Sequence, residues 1–328
     1  MRILKTALLT IAAGTIFAVI GPPIASGQEP PIDEDCFVGN GPPETVDGQP
    51  CRPPNPTHTA SEKALIEAKV AKADAYAAFK RGEISKQQLD AVSQRFWELS
   101  GEEPVEPEEN RIARGLGHDP TVSGSGTMSL MGDLASFYPF EQYYNWQCGP
   151  ATAQSILWIK SSHTSSYAPD GSSITGDRLN DQWILGYSYY TDANNQGQTW
   201  WYPRRMAPTL NRWRTGFDTG FYITGAIASS GGDINNLTKS QTMGYIEDDI
   251  DFDYPVAQNV EYSTSTYLTN ASFTPGTVWE HWDTVYGYFD SGGVRYVQIG
   301  QVWGSTLYYN VPWNTHWPAI SNQHGIVW

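Results

Sequence analysis

The apolar positions of this chain change rhythm several times, and each change marks a segment. A continuous apolar run from Ala7 to Ile20 follows Arg2 and Lys5 and precedes the small residues Ala25 and Gly27. That run is too short to cross a bilayer comfortably. With its charged start and small residues ahead of Gln28, it reads as a signal peptide over 1–27. Residues 28–58 carry no apolar period and are rich in Pro, Gly and acid, which predicts an irregular segment. Between 59 and 101 the period turns helical, with Leu89, Val92, Phe96 and Leu99 recurring along one face. Thr59 with Glu62 and Ser85 with Gln88 fit the capping box, and Gly82 and Gly101 sit where helices stop. A helical hairpin of roughly forty residues follows, too small for a strong core of its own. Residues 102–126 are acidic, then Gly/Ser-rich, and read as a linker.

From Thr127 onward the pattern changes again. Strand-like runs of aromatic and β-branched residues occupy Gly220–Ala228, Tyr254–Tyr262, Trp282–Tyr288, Val294–Val302 and Thr306–Val311, with a turn signal at "FDSGGV". One helix opens the region after Cys148, with Ile156, Leu157 and Ile159 facing a core and Gln154 and Ser155 turned away. A second covers Leu237–Ile250. Helix first and strands later predict an α+β domain over 127–328. The same region holds twelve of the thirteen tryptophans, an aromatic load suited to core and groove wall.

Charge narrows the partners. The chain carries a formal charge of -15, and residues 127–328 alone hold 17 acids against 8 Lys/Arg. A phosphate backbone needs a basic footprint, so a nucleic-acid partner is excluded. No further stretch is apolar enough for a membrane, so after signal cleavage the protein is expected to be exported and soluble. No glycine-rich phosphate loop, CxxC or HExxH occurs, so no cofactor or metal is expected. The carboxylates Asp248, Asp249, Asp251 and Asp253 read as a solvated helix end, and "DANNQG" (192–197) as a turn. An exported chain meets an oxidising compartment. Of its three cysteines, Cys36 and Cys51 lie close together in the irregular segment and can pair, which leaves Cys148 as a free thiol.

Cys148 stands before Gly149 and Pro150, and Pro150 suits a first helical turn. The thiol therefore lies at a helix N-terminus, whose partial positive charge favours a thiolate. A histidine partner would complete a nucleophile. His58 and His118 fall in the N-terminal segments, and His163, His316 and His324 in polar or turn-like surroundings. His281 opens a strand.

The run "QYYNWQCGPA" resembles the nucleophile segment of papain-like cysteine peptidases, in particular the branch related to bacteriocin-processing double-glycine peptidases. "EHWDTVYGYFD" (280–290) resembles that family's histidine strand. The resemblance spans roughly residues 142–311 and is specific around Cys148 and His281. It implies a papain-like α+β fold, with the Cys148 helix packed on an antiparallel sheet carrying His281. It also implies that Gln142, six positions before Cys148, donates to the oxyanion. The loss of such a donor typically costs about 3–4 kcal/mol. The family orients its histidine with Asp or Asn on the next strand, and here the sequence departs from it. A hairpin turning at Ser291–Gly292 places His281 opposite about residue 302, which makes Gln301 the nearest polar side chain, with Asp283 the alternative. The implied activity is hydrolysis of peptide bonds in a peptide or protein substrate, which includes a cell-wall peptide. The rivals are a peptidoglycan amidase or endopeptidase and a catalytically degenerate secreted binding module. The hairpin reads either as a propeptide that occupies the cleft as an intramolecular inhibitor, with Arg114 as a processing point, or as a permanent spacer.

Overall fold

The computed structural model describes residues 56–102, 129–134, 137–161, 174–202, 204–215, 218, 220–262, 279–303 and 307–328, with a small ribbon of β1 (Thr45–Val46) and β2 (Gln49–Pro50). The expected signal peptide, the expected Cys36–Cys51 pairing and Arg114 lie outside these residues. No helix among the described residues is long and apolar enough to cross a membrane.

The hairpin forms α1 (Ala60–Lys80) and α2 (Lys86–Ser100). Both capping boxes are present, at Thr59 with Glu62 and at Ser85 with Gln88. Each satisfies two backbone donors that a helix start leaves without partners. Gly101 closes α2 in the left-handed region at φ 72. The hairpin does not build a core alone. Leu65, Tyr76, Leu89, Phe96 and Trp97 join one apolar cluster with Phe221, Phe252 and Tyr254 of the following domain.

In that domain, short helices precede a sheet. They are α3 (Cys148–Ser161), α4 (Arg178–Leu185), α5 (Ala193–Gln196) and α6 (Met206–Thr215). Helix α3 departs from the sequence reading because its polar positions are buried together with its apolar ones. Gln154 and Ser155 are fully buried with Ile156 and Leu157. Their polar atoms are met locally: Gln154 Nε2 donates to Asp181 at 2.9 Å, and Ser155 Oγ donates to the Ala151 carbonyl at 2.8 Å. "DANNQG" holds the single-turn helix α5 rather than a bare turn.

The sheet contains β3 (Ser129–Asp133), β4 (Thr224–Ala226), β5 (Val256–Tyr262), β6 (Trp279–Ser291), β7 (Val294–Gly300), β8 (Tyr308–Pro312) and β9 (Gly325–Val327). Its order is β4-β9-β5-β6-β7-β8, with β3 also on β6. Strand β6 is the spine. Its first half pairs with β5 and its second half with β3, while β7 lies on the opposite edge. Ser291 pairs with Val294 across Gly292 and Gly293, both at positive φ, as a type I′ hairpin requires. The expected run at Gly220–Ala228 shortens to β4, because the chain bends over residues 227–233 and folds back to bridge Ile234 with Gly225.

Helix α7 (Lys239–Asp251) precedes β5, and α8 (Trp313–Ser321) follows β8. The carboxylate end of α7 is not solvated, which corrects the sequence reading. Asp248 and Asp249 are fully buried, with Lys72 and Lys69 of α1 against them at 2.8 and 3.4 Å. His316 has a polar partner in Gln258 and His324 follows the turn after α8, as expected, but neither is open to solvent. His316 is buried in α8, and His324 stacks on Trp201.

Candidate active site

The start of α3 meets the start of β6. The backbone N–H groups of Trp282 (the residue after His281), Gly149 and Cys148 itself lie near enough to the Cys148 thiol to lower its pKa. Two close approaches bring the surrounding loops in. A Cβ on Gly149 would lie 2.0 Å from Thr199 Oγ1, so only glycine admits Thr199 over the helix start. A Cβ on Gly300 would lie 2.2 Å from Phe137, so glycine there lets residues 137–139 pack on the end of β7. That packing carries Gln142 to the same place, where its backbone N–H donates to the Val302 carbonyl at 2.6 Å. The Gln142 side chain is buried and gives one N–H to the Tyr144 carbonyl at 3.0 Å. An amide nitrogen has two hydrogens, so one remains.

The His281 ring has a defined partner: its Nε2 lies 2.5 Å from Gln301 Oε1. That oxygen also accepts the backbone N–H groups of Val302 at 2.9 Å and Trp303 at 3.2 Å. Two backbone donors fix the amide with its oxygen inward, since an NH2 group there would face two N–H groups. The neutral imidazole must then carry its proton on Nε2, and Nδ1 is the acceptor nitrogen. Asp283 is engaged elsewhere. Gln258 Nε2 donates to its Oδ1 at 2.5 Å, and the Tyr262 hydroxyl donates to its Oδ2. His316 Nε2 lies 2.8 Å from Gln258 Oε1, which extends this buried chain.

Burial decides the protonation states. Cys148 is 8 % exposed and His281 is 2 % exposed. Desolvation pushes the thiol up to about 11, against the three backbone N–H groups that pull it down, and the Asp283 carboxyl adds to the rise. Removal from water thus opposes the pull of the helix start on the thiol. Desolvation also lowers His281 to about 4, while the bond to Gln301 works in the opposite sense. Asp283 is raised to about 7 by burial, with its bonds to Tyr262 and Gln258 lowering it. Burial thus favours the neutral form of both the thiol and the imidazole.

The structure thus gathers Cys148, Gln142, His281 and Gln301 at one end of the sheet, joined through Trp282 and Val302. It separates Asp283 from the imidazole nitrogens. Sequence reasoning missed Thr199 and the residues around it. Trp282 Nε1 donates to the Thr199 carbonyl at 2.7 Å, and Trp201 stacks on Trp282 at 5.9 Å between ring centres. Nothing in the local sequence pattern marks these contacts. It also missed an exposed aromatic group on the loop between Gln142 and Cys148. There Tyr144 and Trp146 are stacked and Trp183 meets both edge-on. The aromatic-rich stretch "QYYNW" was the available signal. Among the described residues no group of His, Cys, Asp and Glu is arranged to hold a metal ion.

No family model matches the chain, and no curated protein is similar to it. Among solved structures, digestive procathepsin L 3 of the Tenebrio molitor larval midgut is 14% identical, over 83% of this chain and 93% of that one, with a TM-score of 0.25. Digestive procathepsin L2 proteinase from the same tissue is 15% identical, over 83% and 94%, also at 0.25. A TM-score this low does not establish a shared fold.

Proposed function

We propose that the protein is an exported cysteine peptidase that hydrolyses peptide bonds through Cys148 and His281. The observation that supports this reading is the His281 tautomer: Gln301 Oε1 accepts a hydrogen bond from the Nε2–H and leaves Nδ1 as the acceptor nitrogen that would serve as base for the Cys148 thiol. In the proposed reaction Nδ1 accepts the thiol proton as Sγ attacks the substrate carbonyl. The resulting oxyanion is held by the Cys148 backbone N–H and the second Gln142 Nε2 hydrogen. The imidazolium then protonates the leaving amine, and water hydrolyses the thioester. The finer placement in the double-glycine branch rests on "QYYNWQCGPA" and "EHWDTVYGY".

Burial of both reacting groups is the one observation that favours the second reading, a binding module built on an inactive peptidase domain. Hydrolysis of fluorescein-labelled casein between pH 5 and 9 separates the two. The peptidase reading requires activity in the parent, its loss in Cys148→Ala, and an unchanged far-UV spectrum in the variant. Equal rates in parent and variant would sink it, and no rate in either, with an intact fold, supports the binding module.

A further inference from the structure

Helix α1 is fastened to α7 by charges that neither side can leave behind. Lys72 Nζ donates to both Asp248 oxygens at 2.8 Å, and Lys69 Nζ donates to the Phe221 carbonyl at 2.8 Å and to Asp249 at 3.4 Å. All four side chains are fully buried. Among the described residues these lysines are the only cations paired with Asp248 and Asp249. Each ammonium also sits over an aromatic face from the domain, Lys69 at 3.7 Å from Phe221 and Lys72 at 3.8 Å from Phe252. Further along, Asp251 accepts from Tyr76 and, at 2.5 Å, from Tyr288. Lys80 donates to Glu247 at 2.8 Å and to Tyr288 at 2.6 Å. At the end of the hairpin Glu102 pairs with Arg214 of α6 and accepts from Tyr254.

These contacts lie away from the candidate site. Among the described residues the polar partners named for the hairpin lie on α6, on α7, on the segments flanking β4, next to β5 and at the far end of β6, and none of them is Gln142, Cys148, His281 or Gln301. Tyr288 is seven residues along β6 from His281, roughly 23 Å at strand rise. The fastened end of α7 runs through Phe252 and Tyr254 into β5, and Val260 of β5 pairs with His281. Through these contacts the hairpin braces the elements that lead into β5, and it joins the apolar cluster that also contains Cys148 and Trp282.

We propose that residues 56–102 are a permanent layer of the protein, held by the Lys69–Asp249 and Lys72–Asp248 lock. On this proposal, cleavage between the hairpin and the domain leaves a two-chain protein and not a freed enzyme with a departed prosegment. The physical reason is the asymmetry of buried ion pairs. Their formation gains little against hydrophobic isosteres, but removal of one partner strands a charge in a dry site. Burial already pushes Asp248 and Asp249 upward, and the lysines oppose that shift. Without α1 the opposition is gone.

The test uses the full chain carrying Cys148→Ala, so that its outcome does not depend on whether Cys148 is a nucleophile. A site-specific protease sequence replaces residues 111–116, the chain is cut to completion, and native mass spectrometry reads the product. One species containing both fragments is expected, separable only in denaturant. Free hairpin under native conditions would overturn the proposal. In the cut protein, Lys72→Met should weaken hairpin retention at least about a hundredfold, and Lys72→Met with Asp248→Leu should restore it to within about tenfold. A double variant no better than the single one would show that charge is not the lock.

Discussion

Gln301 is the residue on which the proposed chemistry can be tested most sharply. It is fully buried, and one oxygen receives the His281 Nε2 proton and two backbone N–H groups. Gln301→Ala removes all three acceptor contacts. Each buried donor left unmet costs about 1–3 kcal/mol, so the ring loses its fixed orientation and its fixed tautomer together. Turnover should fall at least tenfold, about 1.4 kcal/mol in the barrier. Gln301→Glu separates orientation from charge, because a carboxylate keeps the acceptor but favours imidazolium. His281 stands near 4 in the parent, so the base is neutral above that pH and activity is lost as pH falls through it. With glutamate the acid limb of kcat/KM should move up by at least about one pH unit, roughly 1.4 kcal/mol. The same group bears on stability. Its folded value lies below the ordinary 6.5, so the unfolded chain binds a proton that the folded chain refuses. The contribution is present above about 6.5 and is lost as pH falls toward 4, a change of order 3 kcal/mol. Nitrogen-15 NMR of the imidazole reads the tautomer without any substrate. A Gln301→Ala rate within twofold of the parent, with Asp283→Ala strongly impaired, would show that the wrong residue had been assigned. An unmoved acid limb in Gln301→Glu would refute the charge argument.

Three further tests address the surroundings. Alkylation of Cys148 by iodoacetamide should rise about tenfold per pH unit between 7 and 10, because burial holds the thiol near 11; a rate independent of pH would reveal a thiolate. Asp283 is raised to about 7 in the folded protein, so its contribution favours the folded state at low pH and is lost as pH rises from about 4 through 7. Asp283→Asn should flatten that decline in Tm between pH 5 and 8, and an unchanged slope would contradict the raised value. Gly149→Ala puts a Cβ 2.0 Å from Thr199 Oγ1 and should destabilise by about 1–3 kcal/mol in urea titration; a neutral result would mean that the Thr199 segment is free to move.

What could be read from the sequence was what is written locally. Capping boxes involve residues three apart, and a two-glycine turn marks a strand pair within a few residues, so the hairpin helices and the existence of the β6/β7 pair were legible, though not its register. The register expected for Gln301 was off: the turn lies at Gly292–Gly293, a bulge between Val285 and Gly287 shifts the pairing, and β7 ends at Gly300 opposite Thr284. His281 pairs with Val260 of β5, so the Gln301 side chain reaches the imidazole from beyond the paired strand. The misreadings came from partners remote in sequence. Asp248 looks solvated until Lys72, 176 residues earlier, is set against it. Gln154 and Ser155 look like a polar face until Asp181 and the Phe140 N–H are brought to them. Helices α4 and α6 are short, and α4 buries Asp181 and Gln182, which blurs an apolar period. Burial itself, which sets the states of Cys148 and His281, belongs to the whole fold and to no local stretch.

The neutral orienting residue and the dry site belong together. An ionised aspartate at the Gln301 position would have to be desolvated beside a histidine that burial already keeps uncharged, and a buried charge without a charged partner is costly. Glutamine supplies the same acceptor oxygen without that cost, and the Val302 and Trp303 N–H groups hold it in place. The nearest buried carboxyl, Asp283, is itself raised toward neutrality at about 7 and opposes thiolate formation. A resting thiolate–imidazolium pair is therefore disfavoured from both sides. In the proposed mechanism the proton moves from Sγ to Nδ1 only as the carbonyl is attacked, when the oxyanion donors begin to carry the developing charge. That order places Gln142 at the centre of the barrier, since its remaining N–H must meet a charge that no preformed ion pair has lowered.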